Sequence, residues 1–473
     1  KLSEPAPAND HAKPKRSFTV REMLAARANE LQTLKPCLLM SPISVSQFLM
    51  PPDQGGPRFD LVIFDEASQV VPEDAVCCIM RGSQLIVVGD NKQLPPTRFF
   101  DRLSVDPMDE EEDADLESIL DECIETGLQQ RMLEWHYRSR QESLIAFSNY
   151  HMYGNRLKTF PAAMQGGKDV GIELIHVADG VYDRGGRRDN RNEAASVADL
   201  VIQLFLAEPE RSLGVVAFSQ AQQDAIQDIL DYRIKIVVRD RPELERILDE
   251  DVPEPFFVKN LENVQGDERD MMIFSVGYGP DEKGEMTMNF GPLNQQGGAR
   301  RLNVAITRAR KGVKVVSSIK ADDVKVTNSS PTGVRLLRDY LDYAEARGER
   351  VALTAQDADK GRERLEESIA YGLVTRGHLA VRRVGSSAIR VDVAVRHPTE
   401  QGRYILGILC DGPSYRECRS VRDREVTREK VLEGLGWKLV RVWSRDWVMD
   451  REKVLDSLEK SIKDALPPLP DKK

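Results

Sequence analysis

Residues 61–69 read LVIFDEASQ, four apolar residues followed at once by two acids. Leu61, Val62, Ile63 and Phe64 have no polar face, so the run predicts a strand buried on both sides. Asp65 and Glu66 then fall at its carboxyl end, where open parallel sheets hold their ligands. Adjacent carboxylates repel, and a bound metal ion or a positioned water is a physical reason to keep them together.

The surrounding sequence repeats this pattern. Upstream, VREMLAARANELQTL (20–34) reads as helix and CLLM (37–40) as a short strand ending at SPISV. Downstream, a helix around EDAVCCIM is followed by a second buried strand, QLIVVGD. Strands alternating with helices predict a parallel α/β sheet. A second α/β block begins near Gln130, with strands at IELIHV (172–177), LGVVAFS (213–219), FFVKN (256–260), MMIFSVGYG (271–279) and VKVVSSI (313–319). Helices are expected at AASVADLVIQLFLA, QQDAIQDILDYRI and 331–347. The last block joins a helix at RERLEESIAYGLVTRG to strands at IRVDVAV and YILGILCDG. A charged helix from DREVTREKVLEGLG and the strand KLVRVWS follow.

The expected domains are a disordered tail at 1–16, a partial first α/β domain at 17–129, a second at 130–347, a linker at 348–360 and a small domain at 361–465. At roughly 150 residues per domain, 473 residues suit this division. A 41% hydrophobic and 30% charged composition suits globular domains with real cores, and no apolar run is long enough to cross a membrane. Six scattered cysteines with no CxxC pair argue against a zinc site or disulfide framework, so a reducing cytoplasm is the expected setting. The net charge of -10 does not mark a nucleic-acid binder, but a local basic groove decides that question rather than the total. The acidic run DEEEDADLE (109–117) reads as a solvated segment.

Five stretches lie at strand ends or beside them: DEAS (65–68), GDNKQLPPT (89–97), HYRSR (136–140), ENVQGDERD (262–270) and RRLNVAITRARKG (300–312). Each alone has an ordinary reading as a cap, a turn or a surface charge. In this order and spacing they resemble the superfamily 1 helicases, particularly the Upf1-like branch, over about residues 18–320. The resemblance implies two RecA-like parallel-sheet domains, the first incomplete, with ATP and Mg²⁺ bound in the cleft between them. It implies that Asp65 helps hold Mg²⁺ and that Glu66 activates the attacking water. Gln93 would sense the γ-phosphate, and Arg138 and Arg308 would stabilise charge on the transferring phosphoryl group. Gln265, Gly266 and Glu268 would contact the nucleotide and couple it to the nucleic-acid track. Asp267 and Asp270 receive no role. The implied partner is single-stranded or partly duplex nucleic acid, DNA in preference to RNA.

Such a helicase needs GxxxxGK[ST], whose backbone N–H groups and Lys hold the phosphates. The sequence contains no Gly-Lys followed by Ser or Thr, and GGKD (166–169) has Asp where the hydroxyl should be. The expectation is that an upstream segment or a partner chain carries the loop, and that this chain alone does not turn over ATP. A truncated protein with no ATPase activity is the other account.

The set RVDVAV (390–395), ILCDGPSYR (408–416) and REKVLEGLGWKLVRVWSRDW (428–447) resembles the restriction-endonuclease-like domain related to very-short-patch-repair nucleases. By that resemblance Asp392 is a metal ligand, Glu366 supports the site, and Asp411 with the Cys410 carbonyl can complete it. Leu409 stands where the family has Glu, and Arg416 where it has His. Leu supplies no carboxylate, and Arg stays protonated. A degenerate domain that grips DNA without cutting it is therefore favoured over a nuclease. Arg416, Arg419, Arg422, Arg424 and Arg428 serve either phosphate binding or a solvated helix face. Trp437, Trp443 and Trp447 read as core. The resulting expectation is an ATP-dependent helicase or translocase with an appended nuclease-like DNA-binding domain, acting in DNA repair or defence. The alternatives are a non-catalytic nucleic-acid clamp and a metal-dependent endonuclease.

Overall fold

The computed structural model describes residues 19–96, 118–165, 170–239, 251–348, 365–412 and 420–466, with Arg241, Ile247, Asp249, Tyr415, Arg416 and Cys418. The tail 1–16, the acidic run 109–117, GGKD and the linker from residue 349 lie outside the described residues. The chain divides into two compact units, Lys1–Arg131 and Met132–Lys473.

In the first unit, α1 (Val20–Ala26) starts at a capping box. Thr19 Oγ1 accepts the Glu22 N–H at 3.2 Å, and the Glu22 carboxylate accepts the Thr19 N–H at 3.0 Å. After α2 (Ala28–Leu34) the chain departs from the sequence expectation. CLLM is not a strand, and Leu39 is 96% exposed. Ser41 caps and Pro42 opens α3 (Pro42–Phe48), because a serine cap followed by proline is a helix start. The strand β1 (Val62–Phe64), helix α4 (Pro72–Ile79) and strand β2 (Leu85–Val87) follow, and α5 is Ile119–Glu125. β1 and β2 pair in parallel. β1 is not buried on both sides as expected. Phe64 is buried, but Ile63 is 60% exposed, because only one face of this two-stranded sheet is covered, by α4 and α5.

The second unit holds two sheets. The first has order β3-β7-β6-β4-β5, all parallel. Its strands are β3 (Gly171–His176), β4 (Leu213–Ala217), β5 (Phe257–Asn260), β6 (Arg269–Ser275) and β7 (Ala309–Ser317). β4 is buried at every position because it lies inside the sheet with helices packed on it, which is why LGVVA has no polar alternation. The helices are α6 (Ser143–His151), α7 (Arg191–Ala207), α8 (Gln220–Val237), α9 (Gly298–Ile306) and α10 (Thr332–Glu345). Gly333 and Gly298 let α10 and α9 touch. A Cβ on Gly333 would stand 2.4 Å from the Leu293 carbonyl oxygen and 2.9 Å from the Gly298 carbonyl carbon.

A buried polar network ties α7 to the carboxyl ends of β6 and β7. Glu193 accepts from Ser275 Oγ (2.8 Å), Gly277 N (2.7 Å), Ser318 N (3.0 Å) and Ser318 Oγ (3.0 Å). Burial pushes its carboxyl up to about 7, against the pull of those donors. The folded value thus exceeds the unfolded one, so protonation favours the native state. Glu193 adds stability that is full below about pH 4.5 and lost as pH rises to about 7, worth about 3 kcal/mol. Urea unfolding across that range should show the decline in the wild type. Glu193→Gln, which cannot exchange the proton, should remove this part of the slope, and parallel curves for the two proteins would contradict it.

The other sheet has order β11-β10-β9-β8. β8 (Ala380–Val384), β9 (Val391–Arg396) and β10 (Tyr404–Cys410) are antiparallel neighbours, and β11 (Leu439–Val442) joins β10 in parallel. α11 (Leu365–Thr375), α12 (Arg428–Gly434), α13 (Ser444–Met449) and α14 (Arg451–Ala465) complete this part. The predicted helix from Asp423 begins as a π-helical stretch, Asp423–Thr427. The chain is therefore α/β throughout, with parallel-sheet portions followed by a small mixed sheet. No helix among the described residues is long and apolar enough to cross a membrane.

Candidate nucleotide site and nuclease-like centre

In the first unit three candidate groups, Asp65, Glu66 and Gln93, lie on the loops that follow β1 and β2. The Val88 N–H donates to the Phe64 carbonyl at 2.8 Å, and the Ala67 N–H donates to the Val88 carbonyl at 2.9 Å. These bonds lock the DEAS loop onto the GDNKQ loop. Gly89 fills the contact, since a Cβ there would lie 3.0 Å from Ser68 N and 3.2 Å from Ala67 N. Glu66 has φ +51°, a left-handed conformation that costs a non-glycine residue about 1–2 kcal/mol. The turn aims the acid pair off the sheet end. The Glu66 N–H donates to Asp65 Oδ1 at 3.0 Å, and Gln69 Nε2 donates to Glu66 Oε2 at 3.3 Å. Both acids are exposed. Gln93 Nε2 donates to Asp90 Oδ2 at 2.9 Å. Asp90 received no role from the sequence, yet it positions Gln93, and its place after the β2 strand was the available signal. Two exposed carboxylates at a strand end fit Mg²⁺, which takes one or two protein carboxylates and completes its shell with phosphate oxygens and water.

In the second unit, HYRSR is clamped rather than free. The Arg140 N–H donates to the Arg310 carbonyl at 2.7 Å, and the Ser139 N–H donates to His136 Nε2 at 3.2 Å. Burial lowers His136 to about 4, so its ring is neutral and accepts that bond. Arg138 Nε lies 2.6 Å from Glu268 Oε2, which joins HYRSR directly to the QGDE segment. Gly266 turns that segment with φ +88°, and Gln265 Nε2 is a buried donor that has no hydrogen-bond partner. Asp267 pairs with Lys259 at 2.5 Å, and Asp270 with Arg310 at 3.0 Å and Lys311 at 2.6 Å. Asp267 thus ties the QGDE segment to β5, and Asp270 ties β6 to β7. Arg310 also pairs with Glu254, holding that carboxyl down at about 2. Arg308 follows α9 in the second unit. It is buried, and its Nε donates to the Val304 carbonyl at 2.8 Å.

Among the described residues of the nuclease-like part, Asp392, Asp411 and Glu366 form no metal-holding cluster. Asp392 is buried. Its Oδ2 accepts the Cys410 N–H at 2.8 Å and faces Arg428 Nη2 at 3.8 Å. Asp411 gives both oxygens to Ser444, Oδ1 to the N–H (2.8 Å) and Oδ2 to the hydroxyl (2.7 Å), which anchors the start of α13. Glu366 is buried beside Gly412. Leu409 is core, in a cluster with Phe160, Val391 and Trp437. A guanidinium already stands beside Asp392, so these residues do not fit a divalent ion. Among the arginines, Arg424 pairs with Glu425 at 3.2 Å, Arg416 Nε donates to the Asp411 carbonyl at 3.3 Å, and Arg419 lies outside the described residues. Trp437 and Trp447 are core, as read from the sequence. Trp443 is not. It is 39% exposed and meets Tyr415 edge to face at 5.7 Å, because it follows the last residue of an edge strand.

Residues 49–100 match the AAA_11 family model and 116–320 the AAA_12 model, both AAA domains, and residues 365–462 match the REase_MTES_1575 model. The chain thus carries AAA domains followed by a restriction-endonuclease-like domain. Its AAA domains are those of the Upf1-like helicases, and its relatives are ATP-dependent helicases of that kind. The uncharacterized ATP-dependent helicase MG140 of Mycoplasma genitalium is 31% identical over 448 residues, 87% of this chain and 37% of that protein. Its Mycoplasma pneumoniae homolog is 33% identical over 422 residues, 85% of this chain and 36% of that protein. The regulator of nonsense transcripts 1 homolog of Drosophila melanogaster is 25% identical over 276 residues, 56% of this chain and 21% of that protein. The chain spans little more than a third of the length of the two Mycoplasma proteins.

Proposed function

We propose that this chain is the acid-pair and arginine-bearing part of an ATP-dependent DNA helicase or translocase, working in the cytoplasm in DNA repair or in defence against foreign DNA. The observation that carries the proposal is the packing of DEAS against GDNKQ. It places Asp65, Glu66 and Gln93 at the ends of adjacent parallel strands. Asp65 would hold Mg²⁺, which when bound neutralises charge on the nucleotide phosphates. Glu66 takes the proton of the attacking water, and Gln93, held by Asp90, reads whether the γ-phosphate is present. Arg138 and Arg308 stabilise charge on the transferring group, and Gln265, Gly266 and Glu268 contact the nucleotide. The phosphate-binding loop is supplied by an upstream segment or a partner chain.

The nuclease-like domain acts in this proposal as a DNA-gripping domain without cleavage. The Arg428–Asp392 contact and the Asp411–Ser444 bonds favour that reading over an endonuclease. The test of the nucleotide assignment is ATP binding by a polypeptide that contains both the phosphate loop and this chain. Asp65→Ala should weaken binding about tenfold with Mg²⁺ present and leave binding in EDTA unchanged. Equal weakening in both conditions would remove Asp65 from the metal.

A further inference from the structure

The HYRSR loop is held by an extended segment, Leu157–Gln165, that is also bonded to the nuclease-like domain. On the loop side, the His136 N–H donates to the Lys158 carbonyl (3.0 Å) and the Lys158 N–H to the Glu134 carbonyl (2.6 Å). Gln141 Nε2 donates to the Met164 carbonyl at 2.7 Å, and Thr159 Oγ1 donates to Glu142 at 2.5 Å. The loop is therefore pinned to this strap both before and after Arg138. On the other side, the strap is bonded to the nuclease-like domain along its length. Ser387 Oγ accepts the Thr159 N–H (3.0 Å) and donates to the Thr159 carbonyl (2.7 Å). Trp437 Nε1 donates to the Pro161 carbonyl (2.7 Å), the Tyr404 N–H to the Ala163 carbonyl (2.8 Å), and the Gln165 N–H to the Gly402 carbonyl (2.7 Å). Phe160 and Ala163 sit in the same apolar cluster as Trp437 and Tyr404. The buried carboxylate of Glu142 spans both sides, accepting from Thr159 Oγ1 and from the Ser386 N–H at 3.0 Å.

We infer that the nuclease-like domain is a positioning element for Arg138, acting through Glu142 and the Leu157–Gln165 strap. A force on the β8–β9 turn reaches the HYRSR loop through the Ser387–Thr159, Ser386–Glu142 and His136–Lys158 hydrogen bonds and the short backbone links between them, so DNA held by that domain can alter where the arginine stands. The importance of this for hydrolysis rests on the role proposed for Arg138. The coupling itself does not, and amide hydrogen exchange on the whole chain reads it without nucleotide.

Glu142→Ala is expected to speed exchange of the 157–165 amides and also of the His136 and Arg140 amides, each by about tenfold, with Val215–Ala217 unchanged. Glu142→Gln keeps an acceptor for Ser386 and a donor for Thr159, and should stay within about twofold of wild type. Ser387→Ala alters only the nuclease-like side and should also loosen His136, which keeps the test usable if Glu142→Ala does not fold. Faster exchange confined to 157–165, with 134–140 at wild-type rates in both variants, would overturn the inference.

Discussion

Glu66→Gln should lower ATP turnover by about 10³-fold in a polypeptide carrying this chain together with its phosphate-binding loop, while ATP still binds. The substitution keeps the size and the hydrogen-bonding reach of the side chain but removes the group that accepts a proton from water. The Glu66 amide would still donate to Asp65 Oδ1, and Gln69 would still find an oxygen on residue 66. The left-handed backbone at this position is set by the Ala67–Val88 bond and the Gly89 contact, neither of which involves the side chain. The loop should therefore keep its shape, and the loss should fall on kcat rather than on nucleotide affinity. Steady-state hydrolysis beside equilibrium binding measures both. Turnover within about tenfold of wild type would show that Glu66 is not the base.

The second large effect is structural. Trp437→Ala should destabilise the nuclease-like part by about 4 kcal/mol, measured by urea unfolding. The indole is buried, stacks on Tyr404 at 5.2 Å with the rings 23° apart, and fills the space over Gly407, where a Cβ would lie 2.8 Å from the ring. Alanine leaves a cavity too well bounded to collapse and strips the Pro161 carbonyl of its buried donor. The same change frees the middle of the strap. Such a loss is a large share of a domain's usual margin of about 5–15 kcal/mol. A change under about 1 kcal/mol would mean that the strap and sheet do not share a core.

Much of this was legible in the sequence where burial is uniform. LGVVAFS, MMIFSVGYG and VKVVSSI form the inner strands of the parallel sheet because a strand covered on both faces needs apolar residues at every position. The same rule misled at CLLM, which has the composition of a strand but lies outside every strand of the described residues, with Leu39 exposed. It also missed β8, AVRRV, whose arginines disguise a strand at the rim of the small sheet. The candidate site divides in the same way. Strand ends are readable, so the places of Asp65, Glu66 and Gln93 after β1 and β2 follow from the sequence. Partners distant in sequence are not, so Asp411 bonding to Ser444, Arg428 beside Asp392 and Glu142 bonding to Ser386 required coordinates. Each of these pairs is set by the packing of separate elements, which leaves no local pattern.

We propose that these residues belong to a nucleic-acid-driven ATPase. This is tested most directly by ATP hydrolysis in the polypeptide that joins a GxxxxGK[ST] loop to this chain, with and without single-stranded DNA. Single-stranded DNA should raise the rate by at least about tenfold, in a salt-dependent way, as expected of an electrostatic strand-binding track. A rate that is the same with and without nucleic acid, or no hydrolysis in either condition, would contradict the account.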